Sequence, residues 1–114
     1  MIEQLFTNLI SNAVKYSKDK AQSIIKISSS INKNEIVYQV SDNGIGMDMK
    51  EIDKVFQIFS RLSNSKEFEG SGVGMAIAKK ITDRHNGRIW VESKLGEGST
   101  FYVTFPRQPE ADRK

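Results

Sequence analysis

The chain is predicted to fold as a two-layer α/β (α+β) sandwich, with helices packed on one face of a mixed, mostly antiparallel sheet. Three observations predict this class. Apolar residues recur at helical spacing near the start of the chain, apolar and polar residues alternate in two later pairs of segments, and a second helical pattern separates those pairs. Strands in which apolar and polar residues alternate form a sheet with one apolar face. That face must be covered, and the helices are the elements available to cover it.

The composition is typical of one soluble domain. The chain has 114 residues, of which 38% are hydrophobic and none is cysteine. No apolar stretch approaches the roughly 20 residues of a membrane helix and no signal-peptide profile is present, so we expect a cytoplasmic domain without membrane contact. The net charge is +3, but the basic residues are scattered among acidic ones, so no nucleic-acid partner is predicted.

The first helix is predicted from Ile2 onward. Its apolar residues have the spacing of one buried stripe: Leu5, Phe6, Leu9, Ile10, Ala13 and Val14. Gln4, Asn8 and Asn12 recur at every fourth position and Lys15 follows, so these polar side chains line one edge of the helix. The helix therefore carries an edge that is rich in amides.

Two segments with strand character follow, at 24–31 and 35–42, and they predict a hairpin. Alternation in the second segment places Tyr38 and Val40 on the same face as Asp42. A carboxylate at the end of an apolar strand face must find hydrogen-bond donors or stay neutral. Asp42 is therefore a candidate functional residue.

The middle of the chain predicts a short helix, a loop and a second long helix. The short helix covers 47–59, with Asp48 as its N-cap. Residues 60–72 are polar and rich in glycine and serine, which predicts a mobile loop. The second helix runs from Gly74 to about Arg84 and ends at the sequence HNG. Its predicted buried side contains Val73, Ile77 and Ile81.

A second hairpin is predicted from the segments 87–94 and 99–106, because Phe101, Val103 and Phe105 alternate onto one face. Residues 107–114 lack apolar content and are predicted to be a tail or linker. The domain itself is therefore expected to comprise residues 1–106.

Three motifs lie on and between these elements: NLISNAVKYS at 8–17, DNGIGMD at 42–48 and EGSGVGMAIAKK at 69–80. In this order and spacing they resemble the N, G1 and G2 boxes of the catalytic ATP-binding domain of sensor histidine kinases. That family is a branch of the superfamily shared with gyrase, Hsp90 and MutL. The resemblance covers nearly the whole chain. In the family a strand normally precedes the first helix, so we expect either a trimmed chain or a sheet that is one strand short.

The resemblance assigns metal and phosphate chemistry to the first helix. It implies that Asn12 coordinates an Mg²⁺ ion bridging the triphosphate, that Asn8 supports the metal, and that Lys15 neutralises phosphate charge. An amide carbonyl is the kind of hard oxygen ligand that Mg²⁺ favours. The alternative is that both asparagines only hydrogen-bond neighbouring backbone.

The resemblance places the adenine site in the second motif. It implies that Asp42 accepts a hydrogen bond from the exocyclic amine of adenine, for which a carboxylate is a suitable acceptor. Gly44 and Gly46 are expected to allow positive φ and a close approach of the backbone to the base. Ile45 and Met47 are expected to form apolar walls of the pocket.

Three further assignments concern this pocket. Tyr16 is expected either to stack on adenine or only to pack. A hydroxyl of Ser99 or Thr100 resembles the one that supports the adenine aspartate. Phe56 and Phe59 resemble the F box and are expected to pack in the core at the base of the loop.

The third motif resembles a phosphate-binding segment. Gly70, Gly72 and Gly74, with Val73 among them, lie where a loop becomes a helix, and free N–H groups at such a position favour anions. The sequence lacks GK[ST], so it is not a Walker A loop. The alternative is a flexible loop that ends at a helix cap. The resemblance makes 60–72 the lid of the site.

Two basic residues of the lid, Arg61 and Lys66, are either γ-phosphate ligands on closure or ordinary exposed cations. His85 is the sole histidine, and no acidic residue follows it as in the H-[ED] acceptor motif of the family. We therefore expect His85 to be a solvated helix terminus rather than a phosphoacceptor.

The function implied is binding of Mg-ATP and transfer of its γ-phosphoryl group to a histidine on a separate dimerisation domain, for relay to a response regulator. Asn8 occupies the place where the ATPase relatives have a glutamate base, so slow hydrolysis is expected. The parent protein is expected to be a homodimer, membrane-anchored or not, and the isolated domain a monomer. The alternatives are a non-catalytic nucleotide-binding scaffold and a gyrase- or Hsp90-like ATPase.

Overall fold

The computed structural model describes residues 2–17, 22–48, 50, 55–56 and 74–107. These residues form two helices and four strands: α1 (Ile2–Lys15), β1 (Ile25–Ile31), β2 (Glu35–Asp42), α2 (Gly74–Arg84), β3 (Arg88–Lys94) and β4 (Gly98–Pro106). The bounds of all four strands lie within one residue of the prediction. The predicted loop at 60–72 and most of the predicted helix at 47–59 lie outside the described residues.

The four strands form one sheet in the order β1-β2-β4-β3, and each neighbouring pair is antiparallel. The two-layer sandwich is confirmed, but the described sheet is antiparallel throughout rather than mixed. The reason is its topology. Strands β2 and β3, on either side of α2 in the chain, run in the same direction, but β4 lies between them and prevents their pairing.

The core lies between the two helices and one face of the sheet. Leu5 and Leu9 of α1 are 0% and 1% exposed, and Val40 of β2 and Val103 of β4 are 2% and 0% exposed. The inward face predicted for β2 is therefore confirmed. Val14 was expected in the buried stripe of α1 but is 43% exposed. Val14 lies about 140° around the helix from the centre of the stripe formed by Leu5, Leu9 and Ala13, so its side chain faces away from the core.

A Schellman motif ends α2. Asn86 has a φ of 60°. Its N–H donates to Asp83 O at 3.1 Å, and the N–H of Gly87 donates to Thr82 O at 2.9 Å. His85 is the residue between the last helical turn and this cap, so it is part of the helix end, as predicted.

Arg107, the first residue of the predicted tail, is bound to the β1–β2 turn. Its N–H donates to Asn34 O at 2.8 Å, and its Nη1 donates to Asn32 O at 3.1 Å. The pairing of β4 with the β2 side of the sheet is thus extended by one residue beyond Pro106. Residues 108–114 lie outside the described part of the chain.

Candidate functional site

Asp42 ends β2 on the face of the sheet that the helices cover, and its side chain is half-buried. The carboxylate oxygen Oδ1 accepts the N–H of Gly44 at 2.9 Å and the N–H of Ser99 at 3.3 Å. Burial raises the pKa of Asp42 above its ordinary 3.8, and the two N–H groups oppose that shift only in part. Both bonds use Oδ1, so within the described part of the chain Oδ2 has no hydrogen-bond partner and can accept from a donor on a ligand.

The segment 43–48, which we call the G1 loop, is held between the end of α1 and the β3–β4 turn. The N–H of Ile45 donates to Tyr16 O at 3.0 Å, and Ile45 O accepts the N–H of Gly96 at 2.8 Å. The N–H of Met47 donates to Ser93 Oγ at 2.8 Å. The loop that carries the predicted base pocket is therefore fixed on two sides by the protein itself.

The two glycines of the G1 loop are required by these contacts. A Cβ at Gly44 would lie 2.4 Å from Tyr16 O, and a Cβ at Gly46 would lie 2.0 Å from Lys94 O. Gly46 has the predicted positive φ, at 71°, whereas Gly44 does not. At both glycines the backbone therefore approaches another atom closely, as predicted. The atoms approached are backbone oxygens of the protein, whereas the prediction concerned the base.

The polar edge of α1 faces the start of α2. Asn8 Nδ2 donates to Gly74 O at 3.1 Å, which joins the N box to the first residue of the helix that follows the G2 glycines. Asn12 lies one turn further along the same edge, half-buried, and its amide has no hydrogen-bond partner among the described residues. The Asn12 carbonyl is therefore an acceptor beside the junction of the two helices.

Lys15 and Tyr16 interact at the end of α1. The Lys15 Nζ lies 5.3 Å from the centroid of the Tyr16 ring, within the range of a cation–π contact. The Tyr16 carbonyl also anchors the G1 loop through Ile45. The Tyr16 ring therefore lies beside the cation that the resemblance assigns to phosphate.

The structure separates the two candidate hydroxyls of β4. Ser99 pairs with Asp42 in the sheet register and is 8% exposed. Thr100, its neighbour on the strand, points to the opposite face, where its Oγ1 lies 2.9 Å from Ser41 Oγ. The geometry therefore removes Thr100 from the group around Asp42 and favours Ser99. The sequence could have separated these two residues, because the alternation that places Phe101, Val103 and Phe105 inward also places Ser99 inward and Thr100 outward.

Ser93 of β3 was missed by the sequence reasoning. Its Oγ contacts Met47 N, Gly98 O at 2.9 Å and Ser99 Oγ at 2.7 Å. The signal that could have found it is the one used for Asp42: a polar residue at the end of an inward apolar alternation, here after Ile89 and Val91. Ser93 joins the β3–β4 hairpin to the G1 loop.

Several predicted residues lie outside the described part of the chain: Phe59, Arg61, Lys66, Gly70, Gly72 and Val73. Phe56 is described and packs edge-on against Phe101, with ring centroids 6.2 Å apart. Asp48 Oδ1 accepts the N–H of Lys50 at 2.9 Å, the bond expected of an N-cap.

The described residues contain no cluster of three or more His, Cys, Asp or Glu side chains that would hold a metal ion. Mg²⁺ does not require one, because it binds through few protein oxygens together with phosphates and water. The Asn12 carbonyl fits that demand as a single protein ligand.

The chain belongs to the family of histidine kinase-, DNA gyrase B-, and HSP90-like ATPases, which residues 1–109 match. Together with the sensor kinase relatives below, this match confirms the histidine kinase ATP-binding domain indicated by the three motifs.

Among curated relatives, the chain is 50% identical over 103 residues to cyanobacterial phytochrome A of a Nostoc species, covering 90% of this chain and 13% of the relative. It is 36% identical over 105 residues to the sensor protein kinase WalK of Staphylococcus haemolyticus, covering 90% of this chain and 17% of the relative. The chain thus spans less than a fifth of the length of these two relatives.

Solved structures show the same fold. The mycobacterial sensor histidine kinase MprB superposes with a TM-score of 0.82 at 24% identity, over 93% of this chain and 72% of that chain. The catalytic domain of histidine kinase ThkA superposes with a TM-score of 0.77 at 28% identity, over 95% of this chain and 68% of that chain. In the described part of this chain, neither helix has the length and apolar content needed to cross a membrane.

Proposed function

We propose that this domain binds Mg-ATP and donates the γ-phosphoryl group to a histidine on a separate dimerisation domain, as one step of two-component signalling. The observation that carries the proposal is the convergence of three motifs that are distant in the chain. Asn8 of the N box contacts Gly74, the last glycine of the G2 box, and Tyr16 near the end of the N box holds Ile45 of the G1 loop.

Each part of the site has one chemical task. Asp42 offers a carboxylate oxygen to the amine of adenine, and the apolar Ile45 and Met47 follow it in the G1 loop. Asn12 supplies an oxygen to Mg²⁺, which neutralises phosphate charge when bound. Lys15 adds a positive charge at the same end of α1. Transfer of a phosphoryl group depends mainly on such positioning and charge neutralisation.

Because position 8 holds an asparagine and not a carboxylate base, phosphoryl transfer is favoured over ATP hydrolysis. An amide cannot accept a proton from water, so the domain is equipped to present the γ-phosphoryl group rather than to activate a water molecule. The Asn8 amide instead donates to Gly74 O. The incoming imidazole would supply the nucleophile, and its attack would form the P–N bond as ADP leaves.

The proposed partners follow from this chemistry. The acceptor histidine belongs to a dimerisation domain, since His85 lies at the capped end of α2. A response regulator would receive the phosphoryl group next, and a dimerisation domain makes the parent protein a homodimer. The chain itself is proposed to work as a cytoplasmic domain.

Phosphotransfer to a supplied acceptor domain tests the proposal. With γ-labelled ATP and Mg²⁺, the wild-type chain should label the histidine of a sensor-kinase dimerisation domain. Asn12→Ala should reduce labelling at least about 10-fold, because even a residue that only supports a metal ligand typically costs that much when removed. Ser11→Ala, an exposed change on the same helix, should label normally. The WalK catalytic domain serves as a positive control for the acceptor.

One result would contradict the proposed transfer. If the wild-type chain binds ATP yet leaves unlabelled an acceptor that the positive control labels, and does so for acceptor domains from several relatives, the non-catalytic scaffold would replace the kinase as the better account.

A further inference from the structure

Three polar residues form a row across adjacent strands on the helix-covered face of the sheet. The register pairs Asp42 of β2 with Ser99 of β4, and Ser99 with Ser93 of β3. The backbone N–H of Ser99 also donates to Asp42 Oδ1 at 3.3 Å. The row therefore connects β3 to the carboxylate proposed to recognise the base.

The direction of the hydrogen bonds along this row follows from counting protons. A serine hydroxyl donates one proton and accepts through two lone pairs. Ser93 Oγ lies 2.9 Å from Gly98 O, and a carbonyl only accepts, so Ser93 donates to it. The N–H of Met47, at 2.8 Å, occupies one lone pair of Ser93. Ser99 Oγ, at 2.7 Å, must then donate its proton to the other.

This assignment fixes what Ser99 presents to a ligand. Its only hydroxyl proton is directed to Ser93, and its backbone N–H is directed to Asp42. The Ser99 oxygen therefore offers lone pairs alone, beside a carboxylate that, when ionised, also offers only lone pairs. Neither side chain has a proton left for a ligand.

We infer that Ser93 is a positioning residue that sets purine specificity, because it holds Ser99 as an acceptor next to Asp42. This inference rests on the proposed function and deepens it. An amino group at C6 of the purine has protons for both acceptors. An oxo group at C6 has no proton to donate, and its lone pairs would face those of Ser99 Oγ and the Asp42 carboxylate. This repulsion between acceptors would weaken the binding of a 6-oxopurine.

The test compares the affinities of ATP and ITP, which differ at C6 by an amino group against an oxo group. The wild-type chain should prefer ATP. Ser93→Ala should lower the ATP:ITP affinity ratio about threefold to tenfold, the range for one neutral hydrogen bond, because the Ser99 hydroxyl is then free to rotate and donate to the oxo group. Ser99→Ala should lower the ratio similarly, and Ser93→Thr, which keeps the hydroxyl, should preserve it.

The double variant Ser93→Ala/Ser99→Ala shows whether Ser93 acts by orienting the Ser99 hydroxyl or only by stabilising the fold. In the Ser99→Ala background, Ser93→Ala should leave the ratio unchanged, because no hydroxyl remains to be oriented. If Ser93 only held the G1 loop through Met47, its removal would weaken ATP and ITP equally in either background.

The outcomes distinguish the two proposals. An unchanged ratio in Ser93→Ala overturns the role of Ser93 while ATP binding stands. If Ser93→Ala fails to fold, Ser99→Ala decides, because it leaves the partner of Met47 in place, and an unchanged ratio there overturns the inference. A wild-type chain that binds neither nucleotide overturns both proposals.

Discussion

Replacement of Asp42 by asparagine is expected to weaken ATP binding about 10- to 100-fold, the range for losing a hydrogen bond to a charged group. Asparagine keeps the shape of the side chain and one carbonyl oxygen, which can still accept the N–H of Gly44. Its second terminal atom becomes an NH₂ group, which faces the amine of adenine donor to donor. Calorimetric titration of the variant with Mg-ATP measures the loss.

The same substitution should not reduce the stability of the free domain. Burial raises the pKa of Asp42 above 3.8, so the folded state holds this proton to higher pH than the unfolded state. The contribution of Asp42 to stability is therefore fully present below the unfolded pKa and is lost as the pH rises through the folded pKa. At neutral pH the ionised carboxylate is a cost, and Asp42→Asn removes that cost.

Urea denaturation at several pH values measures how Asp42→Asn changes the stability of the domain. At neutral pH, Asp42→Asn should unfold at the same urea concentration as the wild-type chain or at a higher one, and the advantage should shrink as the pH approaches 3.8. Asp83→Asn, the same chemical change at an exposed position paired with Lys79, should leave ATP affinity unchanged. A variant that binds ATP normally, or that is clearly destabilised at neutral pH, would contradict the role given to Asp42.

Gly46→Ala is expected to destabilise the domain by about 2 to 5 kcal/mol and to abolish measurable ATP binding. Two costs add together. The residue has a φ of 71°, in the left-handed region, and the new Cβ would lie 2.0 Å from Lys94 O. Because that oxygen belongs to the backbone of β3, the G1 loop would have to move away from the hairpin. The loop follows Asp42 and contains Met47, so the proposed base site would move with it.

Gly96→Ala is the matched control. Gly96 has a similar φ of 81°, but a Cβ there would meet nothing within 4 Å. Gly96→Ala should therefore lose only about 1 to 2 kcal/mol of stability, the cost of placing alanine in a left-handed backbone conformation. The difference between the two unfolding free energies measures the clash at Gly46 alone. Equal destabilisation of the two variants would show that the approach of Lys94 to the loop is not the constraint.

The local elements were predictable because each has a periodic pattern of its own. The strand bounds at 35–42, for example, followed from alternation and from the turn residues before them. The antiparallel pairing of β2 with β4 was not predictable in this way, because it joins residues more than fifty positions apart. That pairing brings Ser99 beside Asp42, so the composition of the site depends on it.

The site was predictable where a side chain acts by its own chemistry and not where it acts through backbone partners. Asp42 was chosen as a candidate because a carboxylate on an inward strand face is unusual. Ser93 was missed because a serine in a strand is ordinary, and its role arises from three partners supplied by other segments. The need for glycine at 44 and 46 was foreseen, but its cause, the backbone of Tyr16 and Lys94, required the fold.

Calorimetric titration of the wild-type domain with ATP and with GTP, each with and without Mg²⁺, tests the central claim most directly. If Asp42 reads the base and Asn12 holds the metal, ATP binds, Mg²⁺ strengthens its binding, and GTP binds far more weakly under the same conditions. Equal affinity for the two nucleotides, or affinity for ATP that ignores Mg²⁺, would contradict the assignment of those two residues.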